Sequence, residues 1–213
     1  MPNNINPLVS CGRDCRIDEG AYVGMEPLRS ISGRPSVIGD NAVCLRGSII
    51  YLGSAIGRNL VIAHNAIIRE ESTIGDNFNL WSNSVIDYGC TIGNNVKIHC
   101  NVYVAQFTVI EDDCFLAPGV VIANDKHPGC RDSRKCLKGP TIKRGAQIGC
   151  NVTINPGVVI GAGAMIGSGS VVVEDVPAGK VVCGNPAKVI KQVSKIKCDR
   201  FEGEYYRNTV TGI

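Results

Sequence analysis

Between Ile38 and Ile122 an aliphatic residue returns at every sixth position: Ile38, Cys44, Ile50, Ile56, Ile62, Ile68, Ile74, Leu80, Ile86, Ile92, Ile98, Val104, Ile110, Leu116 and Ile122. Cys44 is the one non-aliphatic member and packs as a small hydrophobe. Fifteen rungs in one register exclude an amphipathic helix, whose apolar face recurs at 3.6 residues. They also exclude a strand meander, because loops between long strands would slip the phase. A short fixed period sustained this long is the mark of a solenoid.

Read in eighteens, the repeat shows a turn signature on every third rung: Ile38-Gly-Asp-Asn, Ile56-Gly-Arg-Asn, Ile74-Gly-Asp-Asn, Ile92-Gly-Asn-Asn, Ile110-Glu-Asp-Asp, then Ile148-Gly-Cys-Asn and Ile166-Gly-Ser-Gly. The third residue after each rung is Asn, Asp or Gly, the types that tolerate a left-handed backbone at a tight corner. The other two rung types lack this signature. The expectation is an all-β solenoid with triangular coils, one corner chemically marked, and coils about 4.8 Å apart. Aromatics make up only 5% of the chain. That scarcity suits a thin prism filled by stacked Ile and Val.

Residues 1–16 show no clear period, Ile17 and Val23 start the rungs, and Gly24–Pro35 reads as a loop. The register breaks between Ile122 and Ile142, twenty residues apart. Assigning both to one face, the chain advances a coil in twenty residues instead of eighteen, and the polar, basic segment 124–140 leaves the prism as an excursion loop. Long loops on rigid solenoids are where function is expected. The repeat resumes at Ile142, Ile148, Ile154, Ile160, Ile166 and Val172. Asn185 as an N-cap, Pro186 at the first helical position and the spacing of Val189, Ile190, Val193 and Ile196 predict a short helix over about 186–197. It would cover the open end of the prism. The chain reads as a single domain, 1–197, with a tail over 198–213.

The net charge of +3, from 22 basic and 19 acidic residues, is too mild to argue for nucleic acid. No apolar run reaches membrane length, and the first residues lack the parts of a signal peptide. Eleven Cys without such a signal point to a cytoplasmic, reducing setting. Five of them, Cys44, Cys90, Cys100, Cys114 and Cys150, read as buried filler within the repeat.

The six-residue rungs, the excursion loop and the closing Asp175-Val-Pro with Gly184-Asn-Pro-Ala-Lys188 resemble the hexapeptide-repeat acyltransferase superfamily over roughly residues 17–196. The resemblance implies a left-handed parallel β-helix, a homotrimer, and active sites between neighbouring subunits that use acetyl-CoA as co-substrate without a metal. The phrases Asn94-Asn-Val-Lys-Ile-His-Cys-Asn-Val-Tyr-Val, Asn124-Asp-Lys-His-Pro and Gly139-Pro-Thr-Ile-Lys-Arg-Gly-Ala-Gln-Ile-Gly look most like the branch that N-acetylates amino sugars on UDP or dTDP. A sugar O-acetyltransferase, a γ-type carbonic anhydrase and a non-catalytic trimeric scaffold are the competing readings.

Acetyl transfer needs a nucleophile placed against the thioester, donors for the oxyanion and a route for a proton. Histidine is the usual acceptor of that proton near neutral pH. His127, before Pro128, resembles the base of sugar O-acetyltransferases. His99 stands on the wall that faces sugar and thioester in the resembling branch, and Asn101 matches a position that orients the thioester or amine. His64, nearly two coils away, reads as a corner residue. Asn83, Tyr103, Asn124 and Asp125 are candidate substrate contacts. Gly161, Ala162 and Gly163 leave room for a pantetheine chain, with Lys143, Arg144 and Lys188 for phosphates. Cys130 and Cys136 flank the loop, but their spacing is not that of a zinc clip.

Overall fold

A computed structural model describes residues 4–29 and 34–197. The chain is a prism of three parallel sheets, a left-handed parallel β-helix. Its strands are mostly two residues long, and within the regular repeat each pairs with the strand eighteen residues away. We name the faces A, B and C in the order the chain visits them: Ile50, Ile68 and Ile86 lie on face A, Ile56, Ile74 and Ile92 on face B, and Ile62, Leu80 and Ile98 on face C. In each two-residue strand of the repeat between Val43 and Ile122 the second residue points inward. All fifteen rungs from Ile38 to Ile122 are buried, and they form one continuous core with the later ones.

The repeat starts earlier than its sequence suggests. Asn4–Ile5, Val9–Cys11 and Arg16–Ile17 already form one strand on each face, with Ile5, Cys11, Ile17 and Val23 six apart. Fifteen residues then separate Val23 on face A from Ile38 on face B, so the first loop hides the phase.

The break after Ile122 also differs from expectation. Ile122 is on face A, opposite Ile154, whereas Ile142 is on face B, between Ile110 and Ile160. Of the twenty residues separating them, six make the ordinary step to the next face and fourteen are inserted at one corner. Counting residues does not separate a coil lengthened by two from a corner lengthened by fourteen. The Gly-x-Asn signature after Ile148 and Gly-x-Gly after Ile166 belong to face C, not to the face that carries Ile110.

All three corners, not one, hold a left-handed residue three after the rung. The B–C corner uses Asn41, Asn59, Asn77, Asn95 and Asp113; the C–A corner uses Gly47, Asn65, Asn83, Asn101, Gly119 and Asn151; the A–B corner uses Gly53, Glu71, Gly89, Phe107 and Gly157. Every tight corner makes the same steric demand, so each rung type must meet it. Glu71 and Phe107, with φ of 59° and 63°, are the only members among the described residues that are not Gly, Asn or Asp, and both are at the A–B corner. Left-handed backbone is strained for such side chains.

The expected terminal helix is instead a hairpin. Lys180–Gly184 continues face C beside Met165–Ile166, and Ala187–Gln192 folds back antiparallel to it around a cis Asn185–Pro186 bond. A single 3-10 turn, Val193–Lys195, follows and buries Val193. Pairing the free edge of the last strand satisfies its backbone groups, which a helix there would leave bare. The tail 198–213 lies outside the described residues. Of the five repeat cysteines, Cys44, Cys90 and Cys114 are buried, but Cys100 and Cys150 sit two after a face C rung, at the C–A corner, half-buried and exposed.

Candidate functional site

The candidate residues fall on three different edges of the prism. Asn124, Asp125 and His127 open the excursion loop at the A–B corner. The Asp125 carboxylate accepts the His127 backbone N–H at 2.8 Å, an Asx turn that fixes the start of the loop. The loop continues through the turn Ser133–Lys135 and returns by Gly139, where a Cβ would lie 2.4 Å from the Thr108 backbone nitrogen. Below it is an open cleft of about 570 Å³, lined by Ala123, Asp125, Lys126, His127, Asn155, Pro156, Gly157, Val158, Val173, Glu174 and Asp175. Three carboxylates and one lysine face this cleft. The loop itself carries five cations against two carboxylates, an excess equal to the net charge of the whole chain.

On the other side of the loop root is a polar network. Asp87, only 4% exposed, stands one residue after rung Ile86. Its Oδ1 accepts Arg69 Nη1 at 3.0 Å and the Tyr88 backbone N–H at 2.8 Å. Its Oδ2 accepts the Tyr103 hydroxyl at 2.7 Å and the Gln106 side-chain amide. Gln106 Oε1 in turn accepts Asn124 Nδ2 at 2.5 Å. Burial first, and then the bond to Asp87, push the Tyr103 phenol above its ordinary pKa. Arg69 also clamps Glu70, which is fully buried and is reached from the first loop by Arg29 at 3.3 Å. Arg29 lies 3.7 Å over the Tyr88 ring, and Tyr88 packs edge-on against Phe107. Two candidate substrate contacts, Tyr103 and Asn124, thus converge on one buried carboxylate.

His99, Asn101 and Asn83 belong to the C–A corner. His99 stacks on Trp81 with centroids 5.6 Å apart and meets Phe115 edge-on at 5.4 Å. Asn83 and Asn101 are left-handed corner residues whose backbone N–H groups bind His64 O and Ser82 O. His64 Nδ1 contacts Arg46 O at 3.2 Å, a corner role. The face A strands separate this edge from the excursion loop, so His99 and His127 do not meet within one chain.

The residues read for CoA lie on the B–C corner, apart from Lys188. Lys143 binds Glu111 at 2.6 Å and Arg144 binds Asp112 at 2.6 Å. Burial opposes ionisation of Glu111, but Lys143 and the Arg144 backbone N–H outweigh it and lower its pKa. Asp112 is lowered chiefly by the Asn94 backbone N–H, with Arg144 adding to it. A Cβ on Gly161 would lie 2.4 Å from the Ala178 nitrogen, so the chain's own next segment uses that space. Ala162 accepts the Gly179 N–H, and Gly163 donates to Arg144 O. Lys188, on the hairpin, lies 3.7 Å from Glu174 at the rim of the cleft. Among the described residues no group of three or more His, Cys, Asp or Glu could hold a metal ion, and no helix is long and apolar enough to cross a membrane.

Asp87, Gln106, Asn155, Glu174 and Asp175 escaped the sequence reading. The signal was present in the columns of the eighteen-residue repeat: Arg69 lies eighteen before Asp87, and Gln106 eighteen before Asn124.

Residues 89–124 and 139–173 match the model of the bacterial transferase hexapeptide (six repeats), with the gap falling on the excursion loop. The galactoside O-acetyltransferase of Escherichia coli is 33% identical over 110 residues, covering 49% of this chain and 52% of that protein. The 2,3,4,5-tetrahydropyridine-2,6-dicarboxylate N-acetyltransferase of Clostridium perfringens is 38% identical over 87 residues, covering 41% of this chain and 34% of that protein. The chain therefore spans about half and about a third of the length of these relatives. The solved structure of LpxA, a UDP-N-acetylglucosamine acyltransferase from Bacteroides fragilis, superposes with a TM-score of 0.72 at 24% identity, over 89% of this chain and 73% of that one. It shows the same fold. The repeats over residues 89–124 and 139–173 are thus similar to those of bacterial hexapeptide transferases, and the prism has the left-handed β-helix fold of that solved structure.

Proposed function

We propose that this protein transfers an acetyl group from acetyl-CoA to the amine of a nucleotide-linked amino sugar, at sites formed between the copies of a homotrimer. The observation that carries the acceptor class is the bipolar A–B corner. Carboxylates of Asp125, Glu174 and Asp175 line a cleft suited to an amine, beneath a loop whose cations suit a diphosphate. Acetyl transfer is common to the names of both relatives, whereas their acceptors differ. The outward residues of face A (Ile49, Ile67, Val85, Tyr103, Val121) give an apolar surface for association. Burying it against copies would bring the His99 edge of one chain toward the excursion loop of another.

In this scheme the deprotonated amine attacks the thioester carbonyl, and the tetrahedral intermediate collapses with loss of the CoA thiolate. His127, on the cleft wall, takes the proton that the attacking nitrogen sheds. Asn124 and Tyr103 hold the acceptor, while His99 and Asn101 border the thioester from the neighbouring chain.

The test is acetyl-CoA consumption followed by mass spectrometry with a panel of UDP- and dTDP-amino sugars. The expected result is an acetylated sugar with one of them. Replacing His127 by Asn then lowers kcat by about 10²- to 10⁴-fold, the range for loss of a general base, and His99→Asn lowers it less. No turnover with any acceptor, N- or O-linked, would sink the transferase reading. A hydroxyl acceptor in place of an amine would favour the second reading, sugar O-acetylation, which the His127-Pro128 pair supports.

A further inference from the structure

The polar atoms of the network at the loop root leave almost no freedom of orientation. Arg69 and the Tyr88 N–H are donors only, so Asp87 Oδ1 must accept. Asp87 Oδ2 likewise accepts, from the Tyr103 hydroxyl and from Gln106, so the Gln106 amide turns its Nε2 toward Asp87 and its Oε1 toward Asn124. Asn124 then spends its Nδ2 on Gln106, on the side-chain Oε1 at 2.5 Å and, more weakly, on the backbone carbonyl at 3.4 Å. Its Oδ1 has no donor from the described protein. Asn124 is 9% exposed, and the only fully buried unpartnered side-chain polar atom among the described residues is Ser48 Oγ, so Asn124 Oδ1 is open to solvent.

We propose that Asp87 is a positioning residue that acts through Gln106 to fix the polarity of Asn124, which stands at the loop root between the cleft residues Ala123 and Asp125, so that an oxygen and not an NH₂ is offered to an acceptor amine at the edge of the cleft. This rests on the reading of the site as an amino-sugar N-acetyltransferase. An outward oxygen accepts from the N–H of the attacking amine and aims its lone pair at the thioester. As that nitrogen gains positive charge in the transition state, the contact strengthens. An outward NH₂ would oppose both effects. The acceptor class that this relay selects is one presenting a donor group at the reacting atom.

The relay makes an unusual mutational pattern. In Asp87→Asn, Arg69 and Tyr88 still hold an oxygen at the Oδ1 position, so the new NH₂ takes the Oδ2 position. Gln106 must turn over, and Asn124 follows because its 2.5 Å bond to the Gln106 side chain outweighs the 3.4 Å bond to the Gln106 carbonyl that it gives up; Asn124 then presents its NH₂. Adding Asn124→Asp repairs this: one carboxylate oxygen accepts from the inverted Gln106 and the other faces outward. Asn124→Asp alone sets a carboxylate against Gln106 Oε1 and is itself damaging.

The experiment measures kcat and KM for the acceptor found in the UDP- and dTDP-amino sugar panel, with melting temperatures recorded for each variant. D87N is expected to lose about tenfold to a hundredfold in kcat/KM, mostly in kcat, as for one inverted hydrogen bond. The double variant D87N/N124D is expected to regain most of it and to exceed both single variants. A purely structural role of Asp87 beside Arg69 would not be rescued at position 124, so a double variant no better than D87N overturns the proposal. A second arm uses no acceptor. In deuterated protein carrying ¹⁵N-Asn, the Asn124 side-chain protons should exchange slowly with water in the wild type and quickly in D87N. Equal exchange overturns the relay. Absence of turnover across the panel, with the exchange difference present, would refute the acceptor reading and leave the relay standing.

Discussion

Asn77 provides the sharpest test of why the prism turns where it does. It sits midway along the B–C corner with φ of 59°, and its side chain is one rung of an amide ladder. Asn59 Nδ2 donates to Asn77 Oδ1 at 2.7 Å, and Asn77 Nδ2 donates to Asn95 Oδ1 at 2.8 Å. Asn77→Ala places an ordinary side chain in a left-handed backbone, which costs about 1–2 kcal/mol. It also removes two exposed hydrogen bonds, each worth about 0.5 kcal/mol at the lower end of the usual range. The expected loss is about 2–3 kcal/mol. Asn77→Gly loses the same bonds but not the backbone fit, and despite its greater unfolded-state freedom it should recover about 1 kcal/mol of the alanine loss. Denaturant unfolding of the three proteins at one fixed concentration measures both differences. If the glycine variant is less stable than the alanine variant, left-handed strain is not what selects Asn at this corner, and the account of all three corners fails with it.

Burial pushes the Cys44, Cys90 and Cys114 thiols up to about 12. Alkylation near pH 8 with peptide mapping should therefore label exposed Cys130, Cys136, Cys150 and Cys183 in the native protein and these three only after unfolding. The folded pKa values of Glu111 and Asp112 lie below their unfolded ones, so their stabilising effect is complete above the ordinary carboxylate range and is lost as pH falls through the folded values. The melting temperature should accordingly decline between about pH 5 and 3, and Glu111→Gln should flatten that slope; an unchanged slope would show that the B–C corner pairs do not contribute. Gly161→Ala drives a methyl group into the Ala178 backbone and should destabilise by about 1–3 kcal/mol. A variant with native melting temperature would show that the coil can yield there.

The core was legible because the prism admits one inward residue per two-residue strand, and no other packing produces a six-residue period. The faces were less so. A period of six gives the rung but not the face to which it belongs, and once a loop intervenes, phase is recovered only from pairing. Ile142 is assigned by its place between Ile110 and Ile160, which is a three-dimensional fact. The terminal hairpin was missed for a related reason. Asn185-Pro186 and the spacing of Val189 and Val193 suit a helix start locally, but the exposed edge of Lys180–Gly184 offers backbone hydrogen bonds that outweigh local preference. Asp87 was hidden because a charged residue just after a rung looks like surface, and its partners come from other coils, Arg69 from the one before and Tyr103 and Gln106 from the one after.

Both interruptions of the repeat leave the prism at the same corner, between faces A and B: the first after Val23, the second after Ile122. Between them lie five coil steps, about 24 Å at 4.8 Å per step. That span is bridged by a chain of contacts, from Arg29 through Glu70, Arg69, Asp87 and Gln106 to Asn124. The other two corners are ladders of Asn, Asp and Gly with their backbone needs met coil by coil. The A–B corner instead accepts Glu71 and Phe107 in left-handed backbone, and Glu71 answers Arg29 and Arg34 while Phe107 meets Tyr88. Among the described residues, left-handed backbone at side chains other than Asn and Asp, buried charge and inserted chain thus gather on one edge. An insertion at a corner leaves every strand pairing intact, so this edge could diverge without disturbing the core. The physical basis of specificity in this protein is therefore sought along one line of the prism, from the first loop to the second.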